Sequence, residues 1–241
     1  MNDAKEHTHE KKAAPRIVGG LTGAWEKPYL MKTAAKLPKW VSSDHLTFLG
    51  IVGAILIAAG YALSGYSKLW ILLAELGLYL NWFGDSLDGT TARVRHEERE
   101  RYGYFIDHMV DSFVIVFVCM GVGISPLMDM RIALCIAIIY LLFNIYCHIV
   151  TYVDGVFKIS FGIVGPTEFR IIIFLVNIVL LFIDPFIKYS IFGLQLTAFD
   201  IVGILLCVIF TIVLLISTAS SGKKYNDMDV DARKSRHEKE I

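Results

Sequence analysis

Four aspartates lie where two apolar segments of the chain meet. They occupy positions Asp85, Asp88, Asp107 and Asp111 within the segment GDSLDGTTARVRHEERERYGYFIDHMVD, residues 84–111. A carboxylate inside or at the rim of a membrane helix is costly and marks a functional site by default. Four of them at intervals of 3, 19 and 4 residues are not typical of a solvated surface. We therefore take these aspartates as the candidate catalytic centre.

The spacing places the aspartates on helical faces that can meet. Asp85 and Asp88 share one face of a helix, and Gly103, Asp107 and Asp111 recur every four residues on the next helix. A short connecting loop predicts antiparallel neighbours with both acidic faces at the same depth. Four adjacent carboxylates repel one another, and a hard divalent cation such as Mg²⁺, Mn²⁺ or Ca²⁺ relieves that repulsion. The pattern predicts a two-metal site.

Small residues and one arginine accompany the carboxylates. Gly89, Ala92 and Gly103 keep the wall beside them low, so that a phosphate ester can approach. Arg93 adds a fixed positive charge whose guanidinium can hold phosphate in a bidentate way. Together these groups favour phosphoryl transfer, in which the protein mainly positions groups and neutralises charge.

The composition predicts an all-α integral membrane protein. Of the 241 residues, 55% are hydrophobic and only 19% are charged, and the mean hydropathy is +0.57. Nearly charge-free stretches of about 20 residues suit membrane helices, and the ten-residue alternation typical of a membrane β-barrel is not found. Six spans are predicted, at roughly residues 46–64, 67–93, 104–124, 131–153, 168–184 and 197–219.

These spans form a predicted membrane domain over residues 42–220. Residues 1–23 are a polar tail that does not resemble a signal peptide. Residues 24–41 interleave Trp, Tyr and Leu with Lys, which predicts an amphipathic helix at the membrane surface. The polar tail 221–241 has too few apolar residues to build a core, and we expect it to be mobile.

Basic residues predict the orientation in the membrane. Twenty of the 23 Lys and Arg residues lie in the N-terminal segment, the loops 93–101 and 154–170, and the C-terminal tail. By the positive-inside rule, both termini and the candidate site face the cytoplasm. The net charge of zero offers no field that would favour nucleic acid as a partner.

Other polar residues are assigned structural roles. The four cysteines lie far apart in apolar stretches without CxxC spacing, so we take them as packing residues. Asn144, His148 and Asn177 are expected to hydrogen-bond between helices, and Glu75 to bond a neighbouring helix or subunit. Glu168 is expected to cap the fifth span.

The aspartate segment resembles the motif of the class I CDP-alcohol phosphotransferase (CDP-alcohol phosphatidyltransferase) family. The motif reads D-x2-D-G-x2-A-R, then a spacer, then G-x3-D-x3-D. It is matched here by Asp85, Asp88, Gly89, Ala92, Arg93, Gly103, Asp107 and Asp111. The spacer has nine residues where about eight are typical. Upstream, the sequence SSDHLT resembles the family's P-N-x-x-T, with Ser43 and Asp44 in place of Pro and Asn and with Thr47 kept.

The resemblance implies an enzyme with defined residue roles. An acceptor hydroxyl would attack the phosphorus distal to cytidine in a CDP-linked lipid or alcohol, and CMP would leave. Two Mg²⁺ or Mn²⁺ ions would be held by Asp85, Asp88, Asp107 and Asp111, with Asp111 also acting as general base. The CDP moiety would contact Thr47, Gly89, Ala92 and Arg93. The resemblance also implies contact with membrane lipids and a homodimer.

Two branches of the family, which differ in donor and acceptor, both fit the sequence. One branch of the family moves a phosphatidyl group from CDP-diacylglycerol to a small hydroxyl acceptor in phospholipid biosynthesis, and the short chain favours this branch. The other moves phosphocholine or phosphoethanolamine from a CDP-aminoalcohol to diacylglycerol, and His108, directly after Asp107, resembles that branch. Lys158 and Arg170 could bind an acceptor phosphate or carboxylate, or could be positive-inside anchors.

Two non-enzymatic hypotheses fit the sequence less well. A small cation channel or transporter would distribute its carboxylates through the depth of the membrane, whereas the four aspartates here lie at one end of their helices. A degenerate family member that scaffolds partners would have lost at least one of the aspartates, and all four are present.

Overall fold

Seven α-helices and one β-hairpin make up the part of the chain that the structure describes. The computed structural model describes residues 22–154, 166–184, 186–191 and 193–240. The helices are α1 (Gly23–Lys36), α2 (Ser43–Leu63), α3 (Ile71–Arg95), α4 (Glu100–Ile124), α5 (Met130–Asp154), α6 (Pro166–Phe182) and α7 (Ala198–Glu240). A 3₁₀ turn at Lys68–Trp70 precedes α3. The strands β1 (Lys188–Ile191) and β2 (Leu194–Thr197) pair antiparallel between α6 and α7.

Four of these helices are long and apolar enough to cross a membrane. Within the described ranges they are α2, α4, α5 and α7 up to His237, which indicates a membrane protein. The helices α3 and α6 correspond to the other two predicted spans. The helix α3 carries Glu75 and two of the aspartates, and α6 has only 17 residues. Neither helix is therefore both long enough and apolar enough to be counted with the other four. The six-span arrangement therefore stays a prediction.

The helices α2 and α3 pack so closely that glycine is required in their contact. A Cβ added at Gly53 would lie under 3.0 Å from backbone atoms of Gly77 and Asn81. One added at Gly84 would lie 2.5 Å from the backbone nitrogen of Gly50. Small residues allow helix backbones to approach in this way. The contact aligns α2 with α3 over several turns up to the candidate site.

A buried polar network joins α2, α3 and α6 away from the candidate site. The Tyr61 hydroxyl donates to Asn177 Oδ1 at 2.9 Å, and Asn177 Nδ2 donates to Glu75 Oε1. All three side chains are buried. In a protein interior such groups need hydrogen-bond partners, and the network confirms the interhelical roles predicted for Glu75 and Asn177.

Two further polar contacts join α4 to α5. Asn144 Nδ2 donates to Ser112 Oγ at 3.4 Å, and the Tyr104 hydroxyl lies 3.0 Å from His148 Nδ1. The interhelical roles predicted for Asn144 and His148 are thereby confirmed. The four cysteines are free thiols.

The N-terminal helix α1 lies against α3. Leu30 and Ala34 of α1 are buried in one cluster with Leu46 of α2 and Leu87 of α3. The helix ends at Lys36, five residues before the end predicted from the amphipathic segment. Its location at the membrane surface stays a prediction.

The helix α7 corrects the end predicted for the sixth span, while the mobility expected of the tail stays a prediction. It continues without a break from Ala198 to Glu240, far beyond the predicted span end at residue 219. Lys224 Nζ donates to both carboxylate oxygens of Asp154 at 2.8 Å, and the Tyr146 hydroxyl lies 2.8 Å from Ser221 Oγ. These contacts join the extension to α5. Composition alone did not indicate them, because the partners lie 70 and 75 residues away in sequence.

A buried carboxylate holds the start of α7, next to a hairpin that the sequence analysis did not predict. Asp200 accepts hydrogen bonds from the Thr197 N–H at 2.9 Å and the Asp129 N–H at 2.7 Å. In return, Thr197 Oγ1 accepts from the Asp200 N–H at 3.1 Å. This reciprocal arrangement is a helix capping box, and it also joins the hairpin to the connection between α4 and α5.

Replacing Gly53 by alanine should destabilise the protein by about 1–3 kcal/mol, because the added methyl overpacks the α2–α3 contact. The measurement is thermal unfolding of the purified protein in detergent. The control is Gly222→Ala in α7, where an added Cβ meets nothing within 4 Å. Equal stability of the Gly53→Ala and wild-type proteins would contradict the close contact.

Candidate functional site

The four aspartates line one cavity at the end of the α3–α4 pair. The helix α3 ends at Arg95, His96 adopts a left-handed conformation with φ of 56°, and α4 begins at Glu100. The short turn reverses the chain, but α3 and α4 hardly touch each other, and both pack against α2 instead. The prediction of directly packed antiparallel neighbours was therefore wrong, because α2 lies against both helices. The cavity is lined by Thr47, Gly50, Asn81, Asp85, Asp88, Asp107, Val110 and Asp111. The structure thus brings together all four predicted aspartates.

Arg170 reaches this cavity from α6. Its Nη2 donates to Asp85 Oδ2 at 2.8 Å, and the arginine side chain is only 17% exposed. A cation at this distance in a partly buried site offsets part of the repulsion among the carboxylates. From the sequence, Arg170 could either bind the acceptor or anchor the helix at the membrane. In the structure its guanidinium is bonded to a carboxylate of the candidate site. Lys158 lies outside the described residues.

Two hydroxyls of α2 hold Asp88 in place. Thr47 Oγ1 donates to Asp88 Oδ2 at 2.7 Å, and Ser43 Oγ donates to the Asp88 carbonyl at 3.0 Å. Thr47 therefore orients a site carboxylate, while its predicted contact with CDP stays a prediction. Asp44 forms an ion pair with Arg99 instead. The hydrogen bond to Asp44 raises the pKa of Arg99 above its usual value.

The remaining motif residues do not line the cavity. Arg93 folds back along α3, where its Nη2 donates to Thr90 Oγ1 at 3.1 Å. A Cβ added at Gly89 would lie 3.3 Å from Arg93 Nη1, whereas one added at Gly103 would meet nothing within 4 Å. Ala92 accepts a backbone hydrogen bond where α3 ends. Gly103 borders open space outside the cavity lining, and the low wall predicted next to the carboxylates stays a prediction.

The donor set suits a divalent cation in chemical type. Carboxylate oxygens are the hard ligands that Mg²⁺ and Mn²⁺ prefer, and four carboxylates share one cavity. One oxygen of Asp85 is bonded to Arg170 and one of Asp88 to Thr47. Across the described ranges, no three Asp, Glu, His or Cys side chains converge closely enough to enclose an ion.

The helix α1 ties α6 to α3 beside the site. Glu26 Oε1 accepts from Trp82 Nε1 in α3 at 2.9 Å and from Thr167 Oγ1 in α6 at 2.8 Å. The backbone N–H and the hydroxyl of Thr22 both donate to Glu168 Oε1, at 2.8 and 2.9 Å. Glu168 therefore joins Thr22 to α6, and its predicted role in capping the helix stays a prediction.

A comparison with protein families matches most of the chain. The family model for CDP-alcohol phosphatidyltransferase matches residues 40–219 of the 241, a range that contains all four aspartates. The chain belongs to the CDP-alcohol phosphatidyltransferase family. The family transfers a phosphate-linked group from a CDP-alcohol in lipid synthesis, and its members generally depend on a divalent metal. A comparison with curated proteins found no match to the chain.

One cavity residue of this family member was missed by sequence reasoning. Asn81 is only 4% exposed and lines the cavity with the aspartates. The available signal was helical spacing, because positions 81, 85 and 88 share one face of α3. An uncharged amide stands out less than a carboxylate in an apolar span, and the family motif begins only at Asp85.

Thr47→Val should reduce transferase activity strongly, and Thr47→Ser should preserve most of it. Valine keeps the side-chain shape but removes the hydroxyl that orients Asp88, so we expect a loss of about 10- to 100-fold. Transfer from a CDP-alcohol is the measurement. Thr33→Val in α1, which removes a hydroxyl bonded only to the Tyr29 carbonyl, is the matched control. Equal losses for the serine and valine variants would show that the hydroxyl is not required.

Proposed function

We propose that the protein transfers a phosphatidyl group from CDP-diacylglycerol to a small hydroxyl acceptor in phospholipid biosynthesis and releases CMP. The observation that carries this proposal is a cavity lined by four carboxylates, two from α3 and two from α4. Their shared negative charge suits divalent cations that in turn neutralise a pyrophosphate. Family membership supports the reaction class.

In the proposed reaction, Asp111 accepts the proton of the acceptor hydroxyl. The hydroxyl oxygen forms a bond to the phosphorus that bears diacylglycerol. The bond from that phosphorus to the CMP oxygen breaks, and CMP leaves with the electron pair. The CDP moiety is held by Thr47, Gly89, Ala92 and Arg93. Two Mg²⁺ or Mn²⁺ ions would supply positive charge at the pyrophosphate, held by Asp85, Asp88, Asp107 and Asp111.

Arg170 is proposed to contact the acceptor. Its guanidinium already lies at the cavity, bonded to Asp85 at 2.8 Å. An acceptor phosphate or carboxylate can pair with such a group in a bidentate way. Lys158 would add a second cation for the same acceptor. This assignment favours an acceptor that carries a negative charge.

A CDP-aminoalcohol donor is the second candidate, and a ring cluster beside Asp107 favours it. The rings of Tyr104 and His108 lie 4.3 Å apart between centroids, and those of His108 and His148 lie 4.9 Å apart. Aromatic faces attract ammonium groups, above all quaternary ones. The cluster would then hold the choline or ethanolamine end of the donor, and phosphocholine or phosphoethanolamine would pass to diacylglycerol.

We further propose that the site and both termini face the cytoplasm, and that the protein is a homodimer. The distribution of Lys and Arg supports the orientation. Exposed aromatic side chains at the two ends of the bundle agree with membrane interfaces there, since Trp40 is 75% exposed at the site end and Tyr66 is 86% exposed at the other. The family resemblance supports the homodimer.

The purified protein in detergent should release CMP from CDP-diacylglycerol in the presence of one hydroxyl acceptor and Mg²⁺ or Mn²⁺. A panel of acceptors is tested with this donor, and CDP-choline and CDP-ethanolamine are tested with diacylglycerol. Removing the metal with a chelator should abolish release. Release only from a CDP-aminoalcohol would support the second candidate, and absence of release from every pair would contradict both.

Asp111→Asn should lower transfer by at least about 100-fold, because the amide cannot accept the proton of the acceptor. Its thermal unfolding should stay close to that of the wild type. The control is Asp129→Asn, which changes a carboxylate paired with Arg131 at the opposite end of α4 and should leave transfer unchanged. Wild-type turnover of the Asp111→Asn protein would contradict the assignment of the base.

A further inference from the structure

Asn81 occupies the deep end of the cavity that the aspartates line. It lies in α3 four residues before Asp85, which is about 6 Å further from the Arg95 end of the helix. Only 4% of the residue is exposed, yet it belongs to the cavity lining. A polar side chain so deeply buried normally has its hydrogen-bonding groups satisfied.

Among the described residues, only the Nδ2 end of the Asn81 amide has a hydrogen-bond partner. Asn81 Nδ2 donates to the Gly50 carbonyl of α2 at 3.0 Å, so the N–H group is turned toward the neighbouring helix. In the described part of the chain, no residue donates a hydrogen bond to Asn81 Oδ1. The amide oxygen is therefore the atom of Asn81 that remains for a ligand in the cavity.

We propose that Asn81 Oδ1 is a further oxygen ligand of the divalent cation held by the four aspartates. An amide oxygen is one of the hard donors that such cations accept. Because the amide is neutral, it adds a ligand without adding to the repulsion among the carboxylates. The inference rests on the proposed function, since it takes the cation that the reaction requires.

A purely structural role of Asn81 makes a different prediction. Its bond to Gly50 joins α2 and α3 near their closest approach, so any substitution also affects folding. Alanine and aspartate both remove the N–H donor to Gly50. Aspartate alone keeps an oxygen in the position of Oδ1, and the two variants therefore separate metal binding from packing.

The experiment measures Mn²⁺ binding to the full-length protein without substrate, by the electron paramagnetic resonance signal of free Mn²⁺. Asn81→Ala should weaken Mn²⁺ affinity by about 10-fold or more, whereas Asn81→Asp should bind Mn²⁺ at least as tightly as the wild type. Both variants should lower the thermal unfolding midpoint measured without metal, because both lose the bond to Gly50. The control Asn177→Ala removes an interhelical amide far from the cavity and should leave Mn²⁺ affinity unchanged.

Equal weakening in the alanine and aspartate variants would overturn the inference and assign Asn81 to helix packing. Unchanged affinity of Asn81→Ala would overturn it as well. If the Asn81→Ala protein does not fold, the Asn81→Asp protein alone tests the inference. Mn²⁺ binding by this variant that is weaker than binding by the wild type would contradict an oxygen ligand at this position.

Mn²⁺ binding by the Asp107→Asn protein distinguishes a failure of this inference from a failure of the proposed function. If Asp107→Asn loses Mn²⁺ and Asn81→Ala does not, the inference alone fails. If the wild-type protein binds no Mn²⁺, or Asp107→Asn binds it unchanged, the proposed metal-dependent function fails together with the inference.

Discussion

The candidate site depends on how closely the backbones of α2 and α3 approach each other. At Gly53 and Gly84, an added methyl group would overlap the backbone of the other helix. This approach allows a short side chain such as Thr47 to reach Asp88 directly. It also brings the Asn81 amide within hydrogen-bond distance of an α2 carbonyl. Larger residues in the contact would separate the helices, and the orientation of both site residues would be lost with them.

The second constraint is electrostatic, since four carboxylates share one partly buried cavity. Positive charge relieves the repulsion among them, and Arg170 of α6 supplies some of it at Asp85. The position of α6 depends in turn on α1, through the bonds of Glu26 and Glu168. Residues from α2, α3, α4 and α6 thus meet at one site, which α1 braces. This shared construction agrees with a family match that extends over residues 40–219 and not over the motif alone.

Much of the helical layout could be predicted because membrane helices leave a strong local signal. Long apolar runs located α2, α4, α5 and the first half of α7, and the interhelical bonds of Asn177 and Asn144 followed from the cost of burying an amide. The prediction was wrong where local composition was misleading. The polar end of α7 is helical to Glu240, and Lys224 is paired with Asp154 of a helix far away in sequence.

The sequence by itself determined that the chain belongs to this family, and it singled out four aspartates as candidates for the chemistry. Intervals of three and four residues predicted which aspartates share a helical face, whereas the packing of both α3 and α4 on α2 brings Asp85 and Asp111 into one cavity. Only the tertiary structure decided that Arg170 contacts Asp85, 85 residues away, and that Thr47 contacts a carboxylate 41 residues away. It also placed Asn81 in the lining of the cavity. Contacts of this kind arise from the packing of separate helices, which leaves no periodic signal in any one segment.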